Sequence, residues 1–315
     1  MSAAAVILAL VQVALFAALA PLLVGVTRQL RARVEGRVGA GVLQPWRDLR
    51  KLFMKQPVRA RGSSWILRAG PIVVAVSSLV LAALLPLVTT VGGRLAPGDL
   101  FVVVSVLLIG AVALALVGLD GGTAFGGMGS SRHMTVLALV EPTLLLAIYA
   151  LSIPTGSSNI ATIVVARLAT PAIIISPVGL LAMAAMIIAV MAETGRLPVD
   201  NPTTHLELTM IHEAMVLESS ARDLAWLEFG SWLKLTVLLG LVGNLLAPWG
   251  IATSAAPLAV VIGMAAAVAK VVALGVILAV AEVLMAKVRL FRVPELLAGS
   301  FVLAFLAVAV SAMVS

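Results

Sequence analysis

The sequence predicts an all-α, polytopic membrane protein: a tilted bundle of about eight transmembrane helices with amphipathic helices on its cytoplasmic side. Three observations carry that expectation. Of 315 residues, 62% are hydrophobic and only 11% charged, with a mean hydropathy of +1.18, whereas a soluble domain carries roughly 25% charged residues. Apolar runs of membrane length recur along the whole chain. The basic residues are concentrated in alternate connections between those runs. Because the bilayer replaces a single core, residues 1–315 read as one integral membrane domain. Cysteine is absent, which excludes thiolate metal sites, CxxCH haem attachment and disulfides. His133, His205 and His212 are too few and too scattered to form a metal cluster. The expectation is a chain with no metal and no catalytic residue of its own.

A spanning helix needs about 20 residues to cross a hydrocarbon core of about 30 Å. Runs near 4–26, 70–91, 100–119, 134–153, 172–193, 225–247, 257–285 and 294–314 meet that length. The first lacks a basic n-region and is too long for a signal peptide's h-region, so it reads as a span. Segment 154–171 has a short apolar run containing Arg167 and is expected to lie outside the membrane as a loop with a short helix.

Two connections carry more than a turn. In 27–69, the stretch 44–56 places Trp46, Leu49, Leu52 and Phe53 at helical spacing, with Arg47, Asp48, Arg50, Lys51 and Lys55 opposite. That pattern predicts an amphipathic helix along the membrane surface. It fits either a basic anchor on anionic lipid or a docking surface for a soluble subunit. Gly36, Gly39 and Gly41 before it predict a tight turn or close backbone packing. In 194–224, Pro198 and Pro202 end the preceding helix. THLELTMIHEAM then resumes a helical pattern, with His205 and His212 on one face and Thr209 and Glu213 one turn apart. Val216 stands where an HExxH motif needs its second histidine, which argues against a zinc hydrolase.

Orientation follows from the basic residues. Seventeen of the 21 lysines and arginines fall in connections on one side, eleven of them in 27–69. Arg94 and Arg167 fall on the other side, and Lys234 and Lys270 lie within spans. The long loops are therefore expected in the cytoplasm and both termini outside, in a plasma or inner cell membrane. The pI of about 10.8 is then a consequence of topology, with no nucleic-acid partner implied.

Half of the 14 acidic residues lie between Glu193 and Glu228, at a membrane boundary. Others stand inside spans: Glu141 about 10 Å deep at about 1.5 Å per residue, and Glu282 near a cytoplasmic end. An exposed charge at a span centre costs roughly 2.5–3.5 kcal/mol, so these side chains, with Lys234 and Lys270, are expected to face the bundle interior or water. Ion pairs of a glutamate with Lys234 or Arg196 that hold helices together would explain them. So would a relay of titratable groups, and the acids of 194–224 also fit an ordinary solvated loop. Asp120 and Glu295, at span ends, read as end caps.

The two loops carry a resemblance. GRVGAGVLQPWRDLRKLFMKQ is similar to the first cytoplasmic loop of the membrane subunit that anchors the peripheral arm of complex I (the NADH dehydrogenase subunit 1 family) and of related group 4 nickel–iron hydrogenases. AETGRLPVDNPTTHLEL is similar to the second, through Glu193, Arg196, Pro198, Asp200, Pro202 and Glu207. The short GRVGAG form, and Thr203 and His205 where complex I members tend to have glutamates, resemble the branch of formate hydrogenlyase subunit 4 and hydrogenase-4 component C. So does AKVRLFRVPELL with Glu282 before it. The missing glutamates argue against quinone chemistry.

The resemblance implies a non-catalytic membrane anchor and proton-coupling subunit of a formate hydrogenlyase-like oxidoreductase complex. A nickel–iron centre and iron–sulfur clusters would sit in partners: hydrogenase large and small subunits and iron–sulfur subunits, with antiporter-like subunits in the membrane. It implies a proton path through Glu141, Glu193, Glu207, Glu218 and Glu228. Glu213, Lys234, Lys270 and Glu282 join on their own chemistry and place. Arg37, Gln44, Asp48, Lys51, Arg196 and Asp200 would shape the junction cavity and docking loops, with His205 and His212 beside them. Two alternatives remain: the quinone-site subunit of a complex I-type enzyme, and a stand-alone secondary transporter.

Overall fold

The computed structural model describes residues 3–60, 62–91, 98–200, 210–285, 288 and 292–314. Glu207, His205, Thr203, Thr209 and Pro202 lie outside the described residues, as do Arg94, Lys287 and Arg289. The described chain is helical: α1 (Ala3–Val34), α2 (Gln44–Met54), α3 (Ile66–Leu84), α4 (Leu100–Asp120), α5 (Ala124–Ser152), α6 (Ile160–Ala169), α7 (Ala172–Ile175), α8 (Pro177–Glu193), α9 (His212–Val216), α10 (Ala221–Leu246), α11 (Pro257–Leu284) and α12 (Val293–Val314). Seven of these, α1, α3, α4, α5, α10, α11 and α12, are long and apolar enough to cross a membrane.

The fifth expected span is broken. Ser176 interrupts it between α7 and α8: its Oγ accepts from Gly179 N at 3.0 Å, and Pro177 occupies the first helical turn, where no amide is needed. The 17 residues of α8 rise only about 26 Å, short of a full hydrocarbon core. Counting the broken α7–α8 pair as one crossing keeps the layout near eight spans.

Two sequence expectations need correction. The first span does not end at 26, because α1 runs on to Val34 and carries Arg28, Arg31 and Arg33 as helix. Arginine, glutamine and leucine are good helix formers, and cations are favoured in a helix's last turn. Arg167, expected in an outer loop, is 1% exposed. Helix α6 folds back against α5 and α10, and Arg167 Nε donates to the Leu245 carbonyl at 2.8 Å, one of the orphan acceptors at the end of α10.

α10 is the central element, packed on α1, α3, α8 and α11, while α4, α5 and α12 extend the bundle from α3. Small residues let it approach its neighbours. A Cβ on Gly230 would stand 3.0 Å from the Ala75 backbone of α3, the close helix contact that small residues permit where lipid supplies no hydrophobic drive. Ser78 Oγ bonds the Gly230 carbonyl across that contact at 2.9 Å.

One end of the bundle is tied by polar contacts among its loops. Asp120, the last residue of α4, accepts from Ser64 N at 2.9 Å and Leu67 N at 3.0 Å. It thus satisfies the Leu67 orphan amide in the first turn of α3 and the Ser64 amide just before that helix. Arg59 meets Asp223 through two nitrogens at 2.8 and 3.0 Å, and that hydrogen bond holds the guanidinium above its ordinary pKa. Arg132 reaches the Met210 carbonyl at 3.0 Å. This loop end is where the site forms. At the opposite end, Gln12 bonds Ala82 O, Leu85 O and Val88 N, and Asn244 bonds Pro86 O and Leu87 O. Those bonds satisfy the irregular backbone that follows α3.

Candidate junction cavity and buried ion pairs

α8 ends with Glu193, and α10 enters the bundle beside it with Glu228 and then Lys234, about two turns deeper. Lys234 Nζ donates to Glu193 Oε1 at 3.0 Å. Glu193 is 4% exposed. A lone charge there would be strongly penalised, and a partner with a direct hydrogen bond is what makes the position tolerable.

Two neighbouring cavities lie here, and the pair lines the smaller of them. The larger, about 350 Å³, lies at the loop end and is lined by Arg28 and Arg31 of α1, Thr194, Gly195 and Arg196 after α8, His212 and Glu213, and Glu228, Ser231 and Trp232 of α10. The smaller, about 30 Å³, lies beyond it and is lined by His133, Glu193, Asp200, His212 and Lys234, among others. Thr194, Gly195, His212 and Ser231 belong to both walls. Gly195 has φ +59°, a left-handed conformation open to glycine, and it turns the chain out of α8 so that Arg196 and Asp200 come back to the site. Asp200 is 3% exposed, and its Oδ2 accepts from His212 N at 3.1 Å, which fixes the start of α9.

A second ion cluster closes the wall of the larger cavity. Glu282, near the end of α11, pairs with Arg31 of α1 and, at 3.6 Å, with Arg196. Burial pushes the Arg196 guanidinium below its ordinary pKa, and the Glu282 carboxylate opposes that shift. Arg28 stacks over the Trp232 ring, 5.5 Å from its centre. α1, α10, α11 and the segment after α8 are thus locked together by charges that frame one polar space.

Glu141 lies deeper on α5, 8% exposed, with both carboxylate oxygens buried and unpartnered among the described residues. It is within electrostatic range of Glu193 and Lys234. Glu141, Glu193, Glu213, Glu228, Lys234, Arg196, Asp200 and His212 are therefore brought to one region, with Glu282 in its wall. Six expected site residues lie elsewhere, three of them on α2. Lys270 of α11 donates to Asn244 at 2.9 Å, among the groups around the irregular backbone after α3. Glu218 packs its side chain against Gly121 at the end of α4. Arg37 pairs with Glu35 on an exposed turn.

Gln44, Asp48 and Lys51 belong to α2. Gln44 Nε2 donates to Asp48 Oδ1 at 2.9 Å. α2 is docked on α1 and α10: Leu49 is buried, and Phe53 meets the edge of Trp226 with ring centres 5.1 Å apart. Arg47, Arg50, Lys51 and Lys55 are left lining a shallow groove on the outer face.

Sequence reasoning missed Arg28, Arg31, Ser231, Trp232 and His133 as lining residues. His133 had a readable signal: it precedes Glu141 by eight residues, near the same face of one helix.

Fold and site together define a multi-pass membrane subunit whose loop end holds a polar cavity leading to buried charged pairs. The sequence profile of the family described as NADH dehydrogenase matches residues 5–313, and the chain belongs to that family. It is 34% identical over 299 residues to formate hydrogenlyase subunit 4 of Escherichia coli (strain K12), covering 95% of this chain and 96% of that one. It is also 34% identical over 305 residues to hydrogenase-4 component C of the same organism, covering 96% and 94%. NADH-ubiquinone oxidoreductase chain 1 of Triticum aestivum is 27% identical over 236 residues, covering 70% of each chain. A chain of the membrane-bound sulfane sulfur reductase, an archaeal respiratory membrane complex, shares the fold at a TM-score of 0.81 and 19% identity, covering 98% of this chain and 99% of that one. The chain is thus a membrane subunit of the hydrogenase- and complex I-like kind.

Proposed function

We propose that this chain anchors the soluble redox arm of a formate hydrogenlyase-like group 4 hydrogenase in the membrane and couples its turnover to proton movement. The observation that carries the reading is the Glu193–Lys234 pair, 3.0 Å apart, between a polar cavity at the loop end and the buried Glu141. The basic outer face of α2 lies at the same end and supplies a docking surface for the arm. Similarity over nearly the full length of two hydrogenase-complex proteins supports this assignment over the quinone-site reading, whose relative matches a smaller share of the chain at lower identity.

In this reading the nickel–iron and iron–sulfur centres belong to the large, small and iron–sulfur subunits. Antiporter-like subunits carry the charge movement further through the membrane. The loop end faces the cytoplasm. Glu228, Glu213 and His212 line the entrance, Glu193 and Lys234 exchange a proton at the smaller cavity beyond it, and Glu141 accepts it within the membrane. The Arg31–Glu282–Arg196 cluster holds the walls in place.

The test is purification of the chain from its native membrane in mild detergent, followed by mass spectrometry and metal analysis. Nickel-containing and iron–sulfur subunits are expected in stoichiometric amounts. Recovery with NADH-oxidising subunits and bound quinone would instead establish the quinone reading. A chain that purifies alone and transports solute in liposomes would establish a transporter.

A further inference from the structure

His133 is a half-buried titratable residue with a buried ring nitrogen, to which neither the sequence motifs nor the glutamate path gives a role. It sits on α5, where its ring lies beside the Ala111 backbone carbonyl of α4. Its Nε2 is buried and makes no hydrogen bond among the described residues. An imidazole nitrogen left so is costly unless something meets it. The ring lines the smaller cavity together with Glu193, Lys234, Asp200 and His212. That cavity, about 30 Å³, has room for about one or two water molecules, and its walls offer the polar partners that such waters need.

We propose that His133 is a further member of the proton path, the base that exchanges a proton with the Glu193–Lys234 pair through water held in the smaller cavity. This rests on the proton-coupling reading above. The step balances simply. A proton leaves the pair for a cavity water, which passes one of its own protons to His133 Nε2. The ring becomes an imidazolium, and the pair loses one positive charge. Reversal restores both, so no oxidant, reductant or leaving group takes part. His212, which lines both cavities and interacts electrostatically with His133, stands between this station and the entrance. Glu141 lies about two turns deeper on α5, on the membrane side of it.

The experiment uses inverted membrane vesicles carrying the intact complex, with reduced methyl viologen as electron donor. Hydrogen evolution gives turnover, quench of an acridine dye gives proton movement, and both are normalised to assembled complex. His133→Gln, His133→Ala and Glu193→Gln are compared. Glutamine keeps an acceptor and a donor of similar reach but carries no proton, so it would preserve a role that is only structural or water-holding. The expected result is that both His133 variants lose about tenfold in protons moved per hydrogen, as Glu193→Gln does, the scale of losing one acid–base group being at least this large. Near-normal coupling in His133→Gln beside a defective Glu193→Gln would overturn the role of His133 and leave the wider reading standing. Normal coupling in all three would overturn both.

Discussion

At the residue scale, the bundle accepts in pairs several charges that hydrocarbon would reject. Glu193 with Lys234, and Glu282 with Arg31 and Arg196, are each buried between elements far apart in sequence. A buried pair adds little net stability over an apolar pair, but removing one partner strands the other. Lys234→Met is therefore expected to lower the protein's stability by about 3–5 kcal/mol. The double variant Glu193→Gln/Lys234→Met should lose clearly less than the sum of its parts. Unfolding midpoints of the detergent-solubilised protein for the four members of that cycle check it; simple additivity would mean that the pair is not energetically coupled. The sequence marks both partners as costly charges, and it singles out Lys234 and Arg196 as pairing residues. It does not reveal that Lys270 pairs elsewhere, since depth along a span does not show which neighbour a long side chain reaches.

At the scale of elements, α2 shows how far periodicity carries. Its apolar stripe is legible from Leu49, Leu52 and Phe53. What that stripe packs against is not, because a helix face suited to lipid also suits Trp226 of α10. The structure packs it on the bundle and leaves Arg47, Arg50 and Lys51 on the outer face. Reversing those three residues to glutamate is expected to release the soluble subunits from washed membranes, read by the fraction recovered in the supernatant. Retention at the wild-type level would mean that the basic face serves lipid alone. The broken span is less legible. Its apolar run is continuous in composition, and the break depends on a Ser176 cap placed just ahead of Pro177. α6 escapes reading as a packed element because one arginine in a short apolar run resembles a loop until its acceptor, the end of α10, is known.

At the scale of the whole molecule, an uneven distribution of charge points to both the fold class and the location of the site. Polar backbone and charged side chains are concentrated towards the two ends of an apolar bundle. At one end, ion pairs and capping bonds gather the long loops around a cavity of about 350 Å³. The motif resemblance reaches that cavity through one loop, because Thr194, Gly195 and Arg196 lie side by side in the second motif. The cavity's other wall, Arg28 and Arg31 on the extension of α1 and Trp232 on α10, comes together only through helix packing, which no local motif encodes.

In the proposed function, charge passes from this cavity into the membrane through Glu193. The most direct test is the number of protons moved per hydrogen evolved by vesicles carrying Glu193→Gln, with Glu228→Gln made separately, in complexes shown to be assembled. Each substitution is expected to lower the ratio about tenfold. A wild-type ratio in both would contradict it.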